Sequence, residues 1–264
     1  MYSTFIQCRK CKSKQSKSSP PGYYKDITIK NGIEYSGIKE CECHEKWRLN
    51  EENYSAFINA GFNGTYFNSA DTYEGTKSAG NILRLKQYIY CFISCNKPVQ
   101  SSILYFYGKN GTQKTVTAHW IGSELIKKKF DEKYMAFDVR YISMKELIDN
   151  LWKRERDEQI AAKIDHLVNR CSLLIIDESF DKEKVHVWES GKQLAYIDDF
   201  IRTRINNSLG IIFISNKHPN EIKKEGFSVS LQDLIQRELQ KRDSLFTFED
   251  NYQDSISTPP EVLF

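Results

Sequence analysis

No stretch of this chain approaches the ~18 uncharged apolar residues that a membrane-spanning helix requires. That excludes a helical membrane protein. The N-terminal MYSTFIQCRKCK lacks the apolar segment of a secretory signal, so a cytoplasmic protein is expected. Charge of one sign is also lacking. Lys and Arg total 38 against 35 Asp and Glu, a formal charge of +3, so any basic surface must be local. No internal repeat is visible, which argues against a repeat array. Seven cysteines are present, and in a reducing cytosol disulfides are not expected of them. Four fall within the first 43 residues, a concentration that points to metal. The chain has 264 residues and is 40% hydrophobic, enough to bury a core and fold as a globule.

The composition divides the chain near residue 50, giving an N-terminal module (1–50), a linker with a lead-in helix (51–100) and a core (101–264). The first part is rich in Lys, Ser, Gly and Cys. Within it, ITIKNGIEYSG alternates around an Asn-Gly pair, the signal of a β-hairpin. Residues 50–75 read as a linker with a short helix. Residues 76–95 carry apolar side chains at 82, 85, 89, 92 and 93, the spacing of a helix. From residue 102 onward short apolar runs at 102–107, 139–143, 172–177, 210–215 and 244–248 alternate with helical stretches at 114–129, 144–156, 190–206 and 229–241. Nearly all-apolar strands that alternate with helices predict an α/β fold, a parallel sheet covered on both faces.

Three strand ends carry chemistry. The first is the loop Gly108, Lys109, Asn110, Gly111, Thr112, Gln113, Lys114, Thr115. It has the form G-x-x-x-x-G-K-[ST] of a phosphate-binding loop, except that Gln113 stands where the second glycine belongs. Such a loop turns backbone N–H groups into one concavity in front of a helix N-terminus. Its lysine reaches the outer phosphates and its hydroxyl reaches magnesium. Taken alone, it also reads as an ordinary strand–turn–helix with a chance Lys-Thr. The second is SLLIIDES, an apolar strand that delivers Asp177 and Glu178 at its end, 62 residues after Thr115. Carboxylates at the end of a buried strand are costly unless used or solvated. Next to a phosphate loop they suit magnesium binding (Asp177, with Thr115) and orientation of an attacking water (Glu178). The third is GIIFISN, which ends in Asn216, placed to position that water; its other reading is a turn residue before Pro219.

In this order and spacing GKNGTQKT, LLIIDES and FISN resemble the Walker A, Walker B and sensor 1 motifs of AAA+ ATPases. Within that superfamily the chain is most similar to DnaC/DnaI-type replicative helicase loaders, the phage and mobile-element kind of low-GC bacteria. Residues 73–89 look like the helix leading into the ATPase core of such loaders, and 237–252 like their C-terminal arginine helix and closing strand. The resemblance covers nearly the whole chain. It implies an AAA+ P-loop core, ATP and Mg2+ as cofactors, self-association through the core, and two partners, a DnaB-type helicase and single-stranded DNA. It also implies catalytic arginines, of which Arg237 and Arg242 are the candidates; family members space the pair by four residues and this chain by five. Which acts on its own subunit's nucleotide and which on a neighbour's stays open.

The N-terminal cysteines form Cys8-x2-Cys11 and, after 29 intervening residues, Cys41-x-Cys43-His44. Zinc takes four S or N ligands in a tetrahedron, and two knuckles joined by a hairpin supply them. Cys8, Cys11, Cys41 and Cys43 are the expected ligands, with His44 as the alternative fourth. Cys91, Cys95 and Cys171 sit in apolar patterns and are expected in the core. Lys127, Lys128 and Lys129, and the pair Arg154/Arg156, are basic runs that suit phosphate contacts or solvated helix ends. The expected function is ATP-dependent loading of a replicative helicase onto single-stranded DNA. The alternatives are an IstB-like transposition-helper ATPase, and a helicase-binding adaptor that does not hydrolyse nucleotide.

Overall fold

The computed structural model describes residues 7–9, 12, 21–31, 33–64, 79–95, 103–127, 137–181, 183, 191–241 and 243–248. The Asn-Gly signal marks a hairpin as expected. Strands β1 (Tyr23–Lys30) and β2 (Ile33–Glu40) pair antiparallel, in register from Tyr23↔Glu40 to Lys30↔Ile33. Asn31 turns the chain at φ 52°, the left-handed conformation that a tight hairpin needs and that asparagine tolerates. Helix α1 (Glu42–Asn59) starts directly after Cys41 and is continuous through residue 50, longer than the short helix expected over 50–75. Helix α2 (Ala79–Cys95) buries Leu85, Ile89 and Phe92, the apolar positions that its spacing predicts.

The remainder alternates strand and helix. Strand β3 (Ile103–Gly108) leads into α3 (Lys114–Ile126), and β4 (Val139–Ser143) into α4 (Met144–Lys153). Then come α5 (Glu158–Asn169), β5 (Leu173–Asp177), α6 (Gly191–Asn206), β6 (Gly210–Ser215), α7 (Val229–Gln240) and β7 (Leu245–Phe248). Helix α5 falls outside the predicted elements. The charged run before it hides its start, yet the signal is there: Asp157 is its N-cap and accepts from the N–H groups of Gln159 (2.9 Å) and Ile160 (3.1 Å).

The five strands β3–β7 form one parallel sheet in the order β4-β5-β6-β3-β7. Strand alternation divides the core between the two faces. On one face Ile103, Tyr105, Ile142, Leu174, Ile176, Ile211 and Phe213 pack against α4, α5, α6 and α7. On the other, Leu104, Phe106, Leu173, Ile175, Ile212 and Ile214 pack against α1, α2 and α3. Burial on both faces is why these strands read as continuous apolar runs. Cys171 is in the core as expected, its thiol pushed up to about 11 by burial. Among the described residues no helix is long and apolar enough to cross a membrane.

Candidate nucleotide and metal sites

Because every strand of the core sheet points the same way, the segments leaving β3, β5 and β6 emerge on one edge. A ligand of an open α/β sheet sits beyond the carboxyl ends of its strands. There the structure has a cleft of about 310 Å³, lined by the loop from Asn110 to Val116, by Asp177, Glu178 and Asp181, and by Ile214, Ser215 and Asn216. Inserting β6 between the loop strand β3 and the acidic strand β5 opens this space between them.

The loop is shaped by its backbone. Gly108 ends β3 opposite Phe248, and a Cβ on it would come within 2.3 Å of the Phe248 carbonyl oxygen. That glycine is demanded by close approach of β7 rather than by phosphate. Thr112, buried, donates from Oγ1 to the Lys109 carbonyl at 2.9 Å and draws the loop back on itself. Gln113 lies at φ 66°, ψ 18°, the left-handed region, and is the N-cap of α3 without a side-chain cap. The missing glycine is therefore missing at a position whose conformation favours one. The structure adopts that conformation with glutamine in place, and α3 starts normally behind it.

The side chains called from sequence converge here. Lys114 is buried, and its Nζ donates to the carbonyls of Gly108 (2.7 Å) and Lys109 (2.5 Å) and to Asn216 Oδ1 (3.0 Å). Asn216 donates in turn from Nδ2 to Asn110 Oδ1 at 2.8 Å, so the end of β6 clasps the loop. Thr115 Oγ1 donates to Asp177 Oδ2 at 3.0 Å. A hydroxyl and a carboxylate meeting beside this loop are hard oxygen donors, a set that suits magnesium. Glu178 is exposed at the cleft and sits at φ 53°. A non-glycine residue in that region at the end of a core strand is a mark of functional sites. Its N–H donates to Asp177 Oδ1 at 2.7 Å.

Two polar residues at or beside the cleft escaped the sequence. Tyr141 donates its hydroxyl to Asp177 Oδ2 at 2.6 Å from the neighbouring strand β4, and Asp181, buried, lines the cleft four residues past Asp177. The first could not be found without the strand order. The second lay within reach of the acidic motif. The candidate arginines are not gathered in. Arg237 is exposed on α7 and does not line the cleft, and Arg242 lies outside the described residues.

At the other end of the chain, Cys8, Cys41 and Cys43 present sulfur atoms within 4.8 Å of one another, with Cys8 and Cys41 Sγ 3.4 Å apart. Tetrahedral zinc with Zn–S of ~2.3 Å sets its sulfurs roughly 3.8 Å apart, so the three thiols fit. His44, the alternative ligand, is not in this cluster: its Nδ1 is bonded to Glu40 Oε1 at 2.6 Å. That favours Cys43 over His44. Cys11 lies outside the described residues. Of the basic runs, Arg154 stacks its guanidinium on Tyr196 at 4.8 Å, and Lys128 and Lys129 lie outside the described residues.

The parallel sheet, with the glycine-bearing loop after β3, carboxylates after β5 and an asparagine after β6, has the α/β layout that the sequence resemblance to AAA+ cores predicts. Similarity to solved structures concerns the fold alone. A DNA replication initiation factor matches with a TM-score of 0.50 at 18% identity, over 67% of this chain and 47% of that one. The DnaC helicase loader matches at 0.47 and 20% identity, over 70% and 98%. AMPPCP-bound DnaA from Aquifex aeolicus matches at 0.49 and 19%, over 67% and 48%. This chain spans about half the length of the initiation factor and of DnaA. No family model matches the chain, and no curated protein does.

Proposed function

We propose that the protein is an ATPase that delivers a replicative helicase to single-stranded DNA, with a zinc-holding N-terminal module as the grip on the helicase. The observation that carries the nucleotide half is the meeting of Lys114, Thr115, Asp177 and Asn216 within hydrogen-bond reach at one sheet edge. Four polar groups from three separated segments are otherwise an expensive use of buried strand ends. The loader half is supported by the resemblance of the motifs in sequence and by a thiol cluster placed at the start of α1.

In this reading the loop N–H groups and the α3 N-terminus hold the phosphates. Lys114 exchanges its loop-carbonyl partners for phosphate oxygens, and Asn216 holds its Nζ in the right direction. Thr115 and Asp177 would hold Mg2+, which supplies charge neutralisation at the phosphates. Glu178, exposed at the mouth, orients and deprotonates the attacking water. The cysteines hold zinc and with it the β1–β2 hairpin against the start of α1. Arg237 and Arg242 are reserved for a subunit interface, where one copy completes the site of the next.

Two measurements test this. A fluorescent ATP analogue with magnesium should bind saturably, and the protein should co-purify with the host replicative helicase. Turnover without helicase capture would instead support the transposition-helper reading. A second reading, an adaptor that does not hydrolyse, draws on the left-handed Gln113 and on a Lys114 already satisfied by the loop. Helicase capture with no ATP turnover would establish it.

A further inference from the structure

Tyr141 is held from two sides. Its hydroxyl donates to Asp177 Oδ2, the oxygen that also accepts from Thr115 Oγ1, while Asp177 Oδ1 takes the Glu178 N–H. Three donors leave this carboxylate little rotational freedom, so the tyrosine helps decide where its remaining lone pairs point. From the other side comes the end of α1. Tyr141 N–H donates to the Ala60 carbonyl at 2.7 Å, and Arg140 donates to the Asn59 carbonyl at 2.7 Å. Gly61, at φ 91°, passes so close that a Cβ there would lie 2.7 Å from the Tyr141 carbonyl oxygen. The buried Phe62 stacks on Phe57 at 4.6 Å and lays its ring 5.6 Å from that of Tyr141 and 4.9 Å from His119 on α3. At its other end α1 begins on Cys41, whose carbonyl accepts from the His44 and Glu45 N–H groups. Eighteen residues of helix make a rod of about 27 Å between the thiol cluster and the tyrosine.

We propose that Tyr141 is a positioning residue for the magnesium site, and that the end of α1 with the turn that follows it, residues 57–62, mechanically joins the cysteine module to Asp177 through it. Movement of α1 is then read at the nucleotide site as loss or gain of one hydrogen bond to the magnesium carboxylate. This rests on the nucleotide reading above.

The test separates magnesium from nucleotide. Tyr141→Phe removes only the hydroxyl. The magnesium concentration for half-maximal binding of the fluorescent ATP analogue should rise roughly tenfold, the scale of one hydrogen bond to a charged group. Binding of the same analogue in EDTA should stay unchanged. Phe62→Leu, which loosens the strap without touching Asp177, should raise the magnesium requirement about threefold in the parent. It should add nothing in the Tyr141→Phe background, since both act through the same hydroxyl. Unchanged magnesium dependence in Tyr141→Phe overturns the positioning role. An equal effect of Phe62→Leu in both backgrounds overturns the link to α1. A parent that binds the analogue neither with magnesium nor in EDTA overturns the nucleotide reading itself, and this inference with it.

Discussion

Replacing Gln113 with glycine isolates the one residue at which the candidate loop departs from the phosphate-loop pattern. Gln113 sits at φ 66° with no side-chain cap bond, while its carbonyl accepts from the Thr117 N–H (2.9 Å) and from Thr117 Oγ1 (2.8 Å). Glycine would keep both of those backbone bonds. An L-residue in the left-handed region costs about 1–2 kcal/mol, which glycine relieves. Glycine also gains freedom in the unfolded chain, which costs about 0.5–1 kcal/mol. The balance is a stabilisation between ~0 and ~1.5 kcal/mol. For a domain of this size that raises Tm by up to about 5 °C. Gln113→Val makes the control. A β-branched residue suits positive φ worst, so Tm should fall by about 2–4 °C, a loss of roughly 1 kcal/mol. Thermal melts of the three proteins, each with and without Mg-ATP analogue, give strain and affinity together. Analogue affinity should be equal in parent and Gln113→Gly, or slightly better in the variant. A glycine variant less stable than the parent would refute the strain argument. A parent that does not bind and a glycine variant that does would show that the glutamine disables the loop.

Lys114→Ala should weaken analogue binding roughly ten- to a hundredfold, about 1.5–3 kcal/mol for a charge-assisted contact, as read by titration; an unchanged affinity would remove the lysine from the site. Glu178→Gln should still bind the analogue but stop turnover in a phosphate-release assay, and equal turnover would free Glu178 of its role. Cys8→Ser should release close to one zinc per chain and melt the N-terminal module while leaving nucleotide binding intact; freshly purified, unchelated parent without zinc by metal analysis refutes that site. His119 is buried against Phe57, Phe62 and Tyr141, and burial holds its pKa down at about 4 from 6.5. The unfolded chain binds this proton first, so the full contribution is present above about pH 6.5 and is lost as pH falls toward 4, by about 3 kcal/mol in all. His119→Leu should flatten the stability profile between pH 7 and 5 in urea melts, and parallel profiles would contradict this.

The core strands, the starts of α3, α4, α6 and α7 and the identity of most cleft residues were legible in the sequence because each rests on local chemistry. A run such as Leu173–Asp177 is apolar because both sheet faces are covered, and that shows in any window of five residues. The Asn-Gly turn and the Lys114-Thr115 pair are likewise written in adjacent residues. What needed tertiary structure was everything that depends on which strands are neighbours. Asp177 and Thr115 are 62 residues apart in the chain and 3.0 Å apart in space because β3 and β5, though separated by β6, point the same way and release both segments at one sheet edge. Tyr141 carries no motif at all, and its hydroxyl reaches Asp177 because β4 pairs with β5 in the register Tyr141↔Ile175. That His44 is engaged by another side chain was equally invisible. Both spacings allow a knuckle, and Glu40, four residues before His44, takes the imidazole by a contact that only the turn from β2 into α1 creates. Composition and spacing act along the chain, whereas pairing order and register are decided by burial across it.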